Sequence, residues 1–264
     1  MNNDHVLIVG LGEVGSALAE VLERKYSVSR LDLQPAEITE PVGIMHLCFP
    51  YYTADQFIEA AAAYIDHFTP DLTIVNSTVL PGTVRMIATR TRTPIAYSPV
   101  RGKHARMSQE LLHYTKFVAA PNSRTCEAAE HHFHTVGMRT QRIPRVESLE
   151  LAKLGETTYF GLLIAFAQEL NRFASSAGAE YEESIKLFEE VPFLPNVPYY
   201  PGFIGGHCVI PNINLLKSLR ASQLLDAVLD SNNRRAIELG IGTATARSSS
   251  DPQLTHSSTG SAVK

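Results

Sequence analysis

A glycine-rich segment near the N-terminus constrains the fold of this chain more than any other feature. The apolar run His5–Val9 leads directly into Gly10-Leu11-Gly12-Glu13-Val14-Gly15, and a helical pattern follows. In this strand, turn and helix setting, Gly10 makes the tight turn and Gly12 lets a pyrophosphate approach the helix N-terminus. Gly15 lets the helix pack closely on the strand. The segment therefore predicts a dinucleotide-binding βαβ unit, and the alternative is a glycine-rich turn that binds nothing.

The end of the second strand indicates which dinucleotide is bound. This strand ends at Asp32, twenty residues after Gly12, and no arginine follows it directly. A carboxylate there can bind both hydroxyls of an adenosine ribose and repel a 2′-phosphate, so we expect NAD rather than NADP. The residues expected to hold the cofactor are Gly10, Gly12, Glu13, Val14, Gly15, Asp32, Phe49, Pro50, Ser77 and Thr78.

Ser77 and Thr78 belong to a second motif, Asn76-Ser77-Thr78-Val79-Leu80-Pro81-Gly82-Thr83, which ends one strand and opens a helix. Ligands bind at the carboxyl ends of parallel strands, so both side chains are expected to face the nicotinamide half of the cofactor. Helix capping by Ser or Thr is the compatible structural alternative.

Short β-branched runs alternate with helical patterns over the first 145 residues. The predicted strands are His5–Val9, Val28–Asp32, Ile44–Phe49, Leu72–Asn76 and Ile95–Tyr97, and the predicted helices are Val14–Arg24, Thr53–Phe68 and Thr83–Arg90. This alternation predicts an α/β fold with a Rossmann-type, doubly wound parallel sheet. The short connection between Asp32 and Ile44 leaves little room for a helical crossover. Lys116–Ala119 and Arg139–Ile143, around a helix at Arg124–Val136, are expected to widen the sheet at one edge.

The pattern changes near Pro144. A proline-free segment, Glu147–Ala177, has apolar residues at helical spacing and is followed by Gly178, so it predicts one long helix of roughly 45 Å, or else a kinked pair of helices. Such a helix predicts a helical second domain and a dimer interface. We expect domains at residues 1–145 and 146–239, followed by a disordered tail at 240–264.

A proline-rich and glycine-rich loop interrupts the second domain. After a short helix near Tyr181–Glu189 comes VPFLPNVPYYPGFIGGHCVIPN, whose prolines and glycines predict an ordered irregular loop with a functional role. Two further helices are predicted at Ile213–Leu219 and Ser222–Leu239.

Four of these segments together resemble the UDP-glucose/GDP-mannose (nucleotide-sugar) dehydrogenase family. GLGEVG, STVLPGT, the helix ELAKLGETTYFGLLIAFAQEL and the loop PGFIGGHCVIPN occur in the order and approximate spacing of that family, over about residues 5–238. GGxC after a proline-rich loop is the most specific element. The resemblance implies an NAD domain and a central helical domain that forms the dimer. The family's C-terminal nucleotide-sugar domain is expected to be absent from this chain.

The resemblance also implies catalytic roles. Members oxidise a sugar primary alcohol twice, and the loop cysteine, here Cys208, traps the intermediate aldehyde. A lysine on the long helix, here Lys153, stabilises the developing oxyanion. His207 is a candidate base for Cys208, and Gly205 and Gly206 are expected to bind substrate.

Three positions depart from the family's pattern. The family's asparagine after the lysine corresponds to Thr157, its aspartate after the cysteine to Asn212, and the glutamate of its Ser-Pro-Glu segment to Val100. A thioester on Cys208 would then lack groups that orient and deprotonate water. We therefore expect that a two-electron oxidation can persist while the complete four-electron oxidation is impaired.

A basic stretch follows the strand that ends at Tyr97. It consists of Arg101, Lys103, His104 and Arg106. These side chains either bind a substrate phosphate or carboxylate, for which Arg101, Lys103 and His104 are the candidates, or they form a solvated loop.

Composition and charge limit the partners. The 264 residues include 23 Lys and Arg against 27 Asp and Glu, a net charge of −4, which gives no basic field for nucleic acid. No apolar run approaches a membrane span, no signal peptide is recognisable, and the three cysteines have no CxxC spacing, so a cytoplasmic protein with reduced thiols is expected. No metal site is expected, because one helix cannot turn His131, His132 and His134 to the same face.

Together these features predict an NAD-dependent oxidoreductase that transfers a hydride at a CH–OH or aldehyde carbon of a small molecule, such as a sugar or sugar nucleotide, and acts as a homodimer. One alternative is a small β-hydroxyacid-type dehydrogenase, in which a lysine on the long helix has a role but Cys208 has none. The other is a non-catalytic NAD-binding regulatory or scaffold protein, which the lost carboxylates suggest.

Overall fold

The computed structural model describes residues 4–33, 38–101, 106–190 and 199–241, which form a parallel sheet with flanking helices and then a helical part. The strands are β1 His5–Val9, β2 Ser27–Leu31, β3 Ile44–Leu47, β4 Leu72–Val75, β5 Ile95–Tyr97, β6 Lys116–Val118 and β7 Thr140–Arg142. The helices are α1 Glu13–Leu22, α2 Ala54–Phe68, α3 Thr83–Thr91, α4 Met107–His113, α5 Ser123–Thr135, α6 Val146–Ala177, α7 Tyr181–Ser184, α8 Lys186–Glu189, α9 Val209–Leu219 and α10 Gln223–Glu238.

The main sheet has five parallel strands in the order β2-β1-β3-β4-β5. Val6 of β1 lies between Val28 of β2 and Ile44 of β3, which fixes the register. The chain moves to one side of β1 to form β2 and then to the other side to form β3. The strand order therefore reverses between β1 and β3, and in open α/β sheets such a reversal leaves a crevice at the carboxyl ends where ligands bind.

Helices cover both faces of this sheet, as the doubly wound prediction requires. Leu18 of α1, Met107 of α4 and Phe133 of α5 are buried in the core of one face. Phe57 of α2 and Leu149 of α6 are buried in the core of the other face. Because β-branched and aliphatic residues fill both sides of β1 and β4, those strands are buried throughout. The predicted fold class is confirmed.

The prediction that Lys116–Ala119 and Arg139–Ile143 widen the parallel sheet is wrong. β6 and β7 pair with each other as a separate two-stranded sheet. A single antiparallel bridge, Tyr97 to Ala119, joins them to the edge of the main sheet. The carbonyl of Phe117 accepts a hydrogen bond from the Ser98 hydroxyl (2.8 Å) instead of a strand N–H. A side chain thus takes the place of the next ladder bond, and the pairing with β5 ends.

The long segment after Pro144 forms one continuous helix rather than a kinked pair. α6 runs for 32 residues and ends at Gly178, whose φ of 69° lies in the left-handed region that glycine tolerates best. α9 and α10 pack against its middle, with Ile213 and Val228 in their shared core. A Cβ on Gly161 would lie 2.8 Å from Val209 Cγ1, so the absence of a side chain lets α6 and α9 approach closely.

Several boundaries differ from the predictions by a few residues. α9 begins at Val209 rather than at Ile213, which places Cys208 at its N-cap. Residues 38–43, in the short connection between β2 and β3, contain no helix. The predicted disordered tail lies outside the described residues from 242 onward. None of the helices in the described ranges combines the length and hydropathy of a membrane span.

Candidate active site

Two glycines of the first motif are required by the packing of the chain itself. Gly10 has φ +92°, and a Cβ there would lie 2.7 Å from the backbone nitrogen of Phe49. A Cβ on Gly15 would lie 1.9 Å from the carbonyl oxygen of Gly10, so α1 can reach the turn only without a side chain at this position. These contacts hold β1, α1 and the loop after β3 together at the carboxyl edge of the sheet.

Gly12 differs from Gly10 and Gly15, because the packing of the described residues does not require a glycine at this position. Its φ of −65° suits any residue, and no atom lies within 4 Å of the position that a Cβ would occupy. Its missing side chain leaves open space at the N-cap of α1, where the unpaired N–H groups and the helix dipole favour an anion. This space leaves room for an anion at the helix end, and a dinucleotide pyrophosphate there remains a prediction.

The other predicted cofactor residues lie around this turn. Glu13 and Val14 form the first turn of α1, and Asp32 is exposed immediately after β2. Phe49, half-buried, packs its ring against Phe57 with centroids 4.7 Å apart, and Pro50 beside it is exposed. All of them follow the carboxyl ends of β1, β2 and β3, and their contacts with a cofactor remain predictions.

Ser77 has a structural partner that the sequence did not indicate. Its hydroxyl donates to the carbonyl oxygen of Phe49 at 2.6 Å and so joins the loop after β4 to the loop after β3. The N-cap of α3 is Gly82, so the alternative that Ser77 or Thr78 caps this helix is wrong. Thr78 is half-buried in the same loop.

The loop that carries Cys208 is fixed by buried polar side chains of two helices. Asn232 of α10 binds both backbone groups of Ile204: its Oδ1 accepts from the N–H at 2.7 Å and its Nδ2 donates to the carbonyl at 3.1 Å. Gln168 of α6 donates to the carbonyl of Gly202 at 2.6 Å. These side-chain hydrogen bonds take the place of the backbone hydrogen bonds that a neighbouring strand would make with the loop. Sequence reasoning missed them because polar residues inside helical patterns give no local signal of burial.

The start of α9, which follows Cys208, packs beside the turn of α6 that carries Lys153, and the catalytic roles of these two residues remain predictions. Burial raises the pKa of the Cys208 thiol, and the ammonium of Lys153 is close enough to counter part of that rise. Lys153 is largely buried and its Nζ lies 3.2 Å from Glu156 Oε2. One turn further along, Asn212 of α9 donates to the Thr157 hydroxyl of α6 at 3.0 Å. Thr157 and Asn212, two of the three positions that depart from the family's pattern, thus bind each other near Lys153 and Cys208.

His207 contacts the glycine-rich turn that follows β1. Its Nε2 lies 3.3 Å from Glu13 Oε2, although both side chains are substantially exposed. The pair brings the loop before α9 to the N-terminus of α1. Gly205 and Gly206 precede it as exposed residues, and Gly206 has φ +77°. The turn before Cys208 therefore lies beside the proposed cofactor site.

The basic stretch is only partly described. Arg101 donates to the carbonyl of Thr115 at 3.0 Å, and its guanidinium lies 4.8 Å from the centroid of the Phe117 ring. It is therefore held against β6 rather than lying in a solvated loop. Lys103 and His104 lie outside the described residues, so the substrate role predicted for them remains a prediction.

A buried ammonium lies behind the carboxyl ends of β4 and β5. Lys116 Nζ donates to the carbonyl oxygens of Ser98 at 2.8 Å and Pro99 at 3.3 Å. Burial, with smaller contributions from the charges of Lys153 and Arg101, lowers the pKa of Lys116 to about 7. The residue was predicted only as part of a strand. Its hydrogen bonds fix the Ser98-Pro99 segment, which leads to Val100 and Arg101.

One histidine of α5 lies in the core of the sheet domain. His132 is buried and its Nε2 lies 2.9 Å from His46 Nε2. His46 in turn bonds the Asn76 side chain at 3.1 Å. Burial lowers the pKa of His132 to about 3, so this pair is neutral and belongs to the core. Within the described residues, no group of three or more His, Cys, Asp or Glu side chains could hold a metal ion.

A buried carboxylate joins the helical part to the sheet. Glu150, on the first turns of α6, has no solvent-exposed surface. Its two oxygens accept hydrogen bonds from the backbone N–H groups of Gly82 at 2.6 Å and Val84 at 2.9 Å. Sequence reasoning missed this residue because a glutamate in a helix is usually a solvated side chain.

Comparison with known proteins identifies the second part of the chain. Residues 147–234 match the family model described as the central domain of the UDP-glucose/GDP-mannose dehydrogenase family. The UDP-N-acetyl-D-mannosamine dehydrogenase of Methanocaldococcus jannaschii is 26% identical over 156 residues, which cover 58% of this chain and 36% of that protein. The matched region thus spans little more than a third of the relative's length.

Solved structures show the same fold. A UDP-D-ManNAc dehydrogenase from Pyrococcus horikoshii has a TM-score of 0.77 at 21% identity, covering 89% of this chain and 70% of that one. A UDP-glucose dehydrogenase from Pyrobaculum islandicum has a TM-score of 0.74 at 18% identity, covering 90% and 70%. The resemblance predicted from the motifs is confirmed: residues 147–234, which follow a Rossmann-type parallel sheet, match the central-domain model of the UDP-glucose/GDP-mannose dehydrogenase family.

Proposed function

We propose that this protein is an NAD-dependent oxidoreductase that transfers a hydride from a CH–OH or aldehyde carbon of a nucleotide sugar or a related sugar. In this proposal residues 1–145 form the NAD-binding domain, and residues 146–239 form a helical domain that supplies Lys153 and Cys208. The observation that carries the proposal is the packing of α9 on α6: Asn212 and Thr157, four residues after Cys208 and Lys153 respectively, are joined by a hydrogen bond of 3.0 Å. His207, next to Cys208, has its Nε2 3.3 Å from Oε2 of Glu13 in the glycine-rich turn.

The cofactor half of the site is supported by the space at Gly12 and by the residues around it. The N-terminus of α1 would hold the pyrophosphate, and Asp32 after β2 would bind the adenosine ribose. Ser77 and Thr78 lie on the loop after β4, where the nicotinamide half is expected. NAD, when bound, supplies the acceptor for the hydride that leaves the substrate carbon.

Lys153 and Cys208 act on the substrate in two different steps of the proposed reaction. The Lys153 ammonium can stabilise the oxyanion that develops as an alcohol loses its proton. Cys208 can then add to the aldehyde carbon, which requires that its thiol lose a proton. Because burial raises the pKa of Cys208, the thiol predominates at neutral pH and Lys153 is the nearby charge that favours the thiolate.

The groups that would hydrolyse a Cys208 thioester are changed. Asn212 and Thr157 bind each other at 3.0 Å, and neither is a base at neutral pH. Val100, where the family has a glutamate, is buried and apolar. We therefore propose that oxidation to the aldehyde proceeds, whereas release of a carboxylate is slow or absent.

The substrate class follows from the relatives and not from a described pocket. The matched relatives are called UDP-N-acetyl-D-mannosamine dehydrogenases, but the matched region of this chain spans only 36% of the M. jannaschii protein. A nucleotide sugar is therefore the first substrate to test, followed by the corresponding free sugars.

A homodimer is part of the same proposal. Tyr159, Leu163, Phe166, Leu170 and Phe173 follow one another at intervals of four and three residues along α6. Tyr159, Phe166 and Phe173 are 54%, 56% and 69% exposed. This spacing is that of a seam between helices, so a second copy of α6 is the expected partner. The three cysteines are free, which agrees with a proposed location in the reducing cytoplasm.

The function can be tested by screening nucleotide sugars and free sugars for NADH release by the full chain, with intact-mass analysis of the protein after turnover. We expect about one NADH per substrate with release of the aldehyde, or a burst of two NADH per active site that leaves an acyl adduct on Cys208, because forming the thioester from the alcohol takes two hydride transfers. The matched variants are Cys208→Ala and Lys153→Met, with Cys126→Ala as the control, because Cys126 is buried in the core of the sheet.

Each outcome distinguishes one class of function. Rapid formation of a uronic acid with two NADH per substrate would show that Asn212 and Thr157 do not impair hydrolysis. Equal turnover by Cys208→Ala, together with no acyl adduct on Cys208 of the parent protein, would favour the β-hydroxyacid type of dehydrogenase. Cofactor binding without turnover of any substrate would favour a binding protein.

A further inference from the structure

We infer that Glu150 is a positioning residue: its carboxylate ties α6 to the loop between β4 and α3 and thereby sets the place of Lys153 relative to the segment that carries Ser77 and Thr78. The inference rests on the proposed function, because only that function gives Lys153 a role in catalysis. No motif or relative named above assigns a role to Glu150.

The geometry of the carboxylate supports a tether. Both oxygens of Glu150 are used, one by the N–H of Gly82 at 2.6 Å and the other by the N–H of Val84 at 2.9 Å. These donors belong to the N-cap and second residue of α3, where helix N–H groups have no partner within the helix. A carboxylate satisfies both donors and interacts favourably with the helix dipole.

The position of Glu150 along α6 connects this tether to the active site. Lys153 follows three residues later, which is roughly 4.5 Å along the helix axis and on the same side of the helix. Gly82 belongs to the same short loop as Ser77 and Thr78. The two hydrogen bonds therefore fix the distance between the lysine and the loop proposed to face the nicotinamide.

The exposed ion pair nearby cannot replace this tether. Glu147 of α6 pairs with Arg85 of α3, with side chains 36% and 53% exposed. Exposed pairs of this kind contribute little, since water screens them and both side chains lose freedom. Glu147 is thus a matched control: it lies on the same helix and contacts the same helix α3, but at the surface.

The ionisation of Glu150 falls within the usual assay range. Burial raises the pKa of Glu150 to about 7, although the two N–H donors lower it. The titratable groups that interact electrostatically with it are Tyr51 after β3, Tyr97 of β5, Arg85 of α3 and Glu147 one turn before it on α6. Once protonated, the carboxyl can accept fully through only one oxygen, so the double hydrogen bond is complete only above this pKa.

The test compares Glu150→Gln with Glu147→Gln in the full-length chain. An amide accepts through one oxygen and presents an NH₂ group to the second backbone donor, so one hydrogen bond is lost with almost no change in volume. We expect kcat to fall about tenfold or more in Glu150→Gln with the Kd for NAD unchanged. In the parent protein kcat should rise through about pH 7 as Glu150 ionises. This rise should disappear in Glu150→Gln, whereas Glu147→Gln should keep it and the parent kcat.

Two readouts do not depend on turnover. Amide hydrogen exchange at Gly82 or Val84 should accelerate about tenfold in Glu150→Gln, and reductive methylation of Lys153 should accelerate severalfold. Glu150→Asp, which keeps the charge on a shorter chain, should show the same changes to a smaller extent, and it replaces Glu150→Gln if that variant does not fold.

The outcomes separate the two proposals. Faster exchange and faster Lys153 methylation in a chain that turns over no substrate would support the tether and overturn the proposed dehydrogenase activity. Normal Lys153 methylation together with a normal kcat and pH profile in Glu150→Gln would overturn the positioning role. Lower stability with unchanged Lys153 methylation would mean that Glu150 is structural only, which also overturns it.

Discussion

Replacing Gly12 by alanine is expected to weaken cofactor binding while leaving the stability of the fold almost unchanged. Gly12 has φ −65°, which alanine adopts without strain, and no atom lies within 4 Å of the new Cβ. Replacing glycine by alanine at an N-cap is unfavourable by roughly 0.5–1 kcal/mol, while the lower entropy of the unfolded chain with alanine is favourable by about 0.4–1 kcal/mol. The free energy of unfolding should therefore change by less than about 1 kcal/mol.

Cofactor binding should respond differently. The new methyl group occupies the space proposed for the pyrophosphate, so we expect the Kd for NAD to rise at least tenfold, which corresponds to about 1.4 kcal/mol. Gly10→Ala is the contrasting variant. Its φ of +92° requires a left-handed residue, which disfavours alanine by roughly 1–2 kcal/mol. The contact at 2.7 Å with the Phe49 nitrogen adds overpacking of about 1–3 kcal/mol.

Urea unfolding and calorimetric titration with NAD measure both quantities on the same samples. The expected pattern is a stable Gly12→Ala protein that binds NAD weakly, beside a destabilised Gly10→Ala protein. An unchanged Kd in Gly12→Ala would show that the open space at this turn does not receive the pyrophosphate. A loss of stability as large as that of Gly10→Ala would show that Gly12 is needed by the fold.

Three further predictions follow from the same structure. The protein should bind NAD more tightly than NADP, and Asp32→Ala should reduce that preference at least tenfold in calorimetric titrations, whereas an equal preference in the parent protein would refute the assignment of Asp32. Light scattering should show a dimer that Phe166→Glu converts to a monomer, while Glu147→Gln, which lies outside this seam near the start of α6, leaves it intact; a monomeric parent would refute the seam. Because burial raises the pKa of the Cys208 thiol, its alkylation by iodoacetamide should accelerate as pH rises through the alkaline range. Lys153→Met should slow alkylation further at each pH, and a rate independent of pH would contradict the buried thiol.

The local patterns of the sequence were sufficient to predict the fold class and the glycine-rich turn between β1 and α1. Gly10, Gly12 and Gly15 act within a few residues of one another, and strand, turn and helix follow directly along the chain, so their spacing alone predicts the geometry. The same is true of α6, whose apolar spacing and terminal Gly178 are local signals. The sequence also predicted Lys153 and Cys208 through the resemblance, although they are 55 residues apart.

The tertiary structure decided which buried polar groups meet, because such groups find partners through space and not through spacing along the chain. Asn232 holds the Cys208 loop, Lys116 fixes the Ser98-Pro99 segment, and Glu150 binds the start of α3, each across many residues of sequence. A Gln, Lys or Glu in an isolated pattern is normally interpreted as solvated. Its burial becomes visible only once packing has removed the water and left a backbone group that needs a partner. For the same reason the sequence could predict that β6 forms, but only the hydroxyl of Ser98 on the Phe117 carbonyl decided that it does not extend the main sheet.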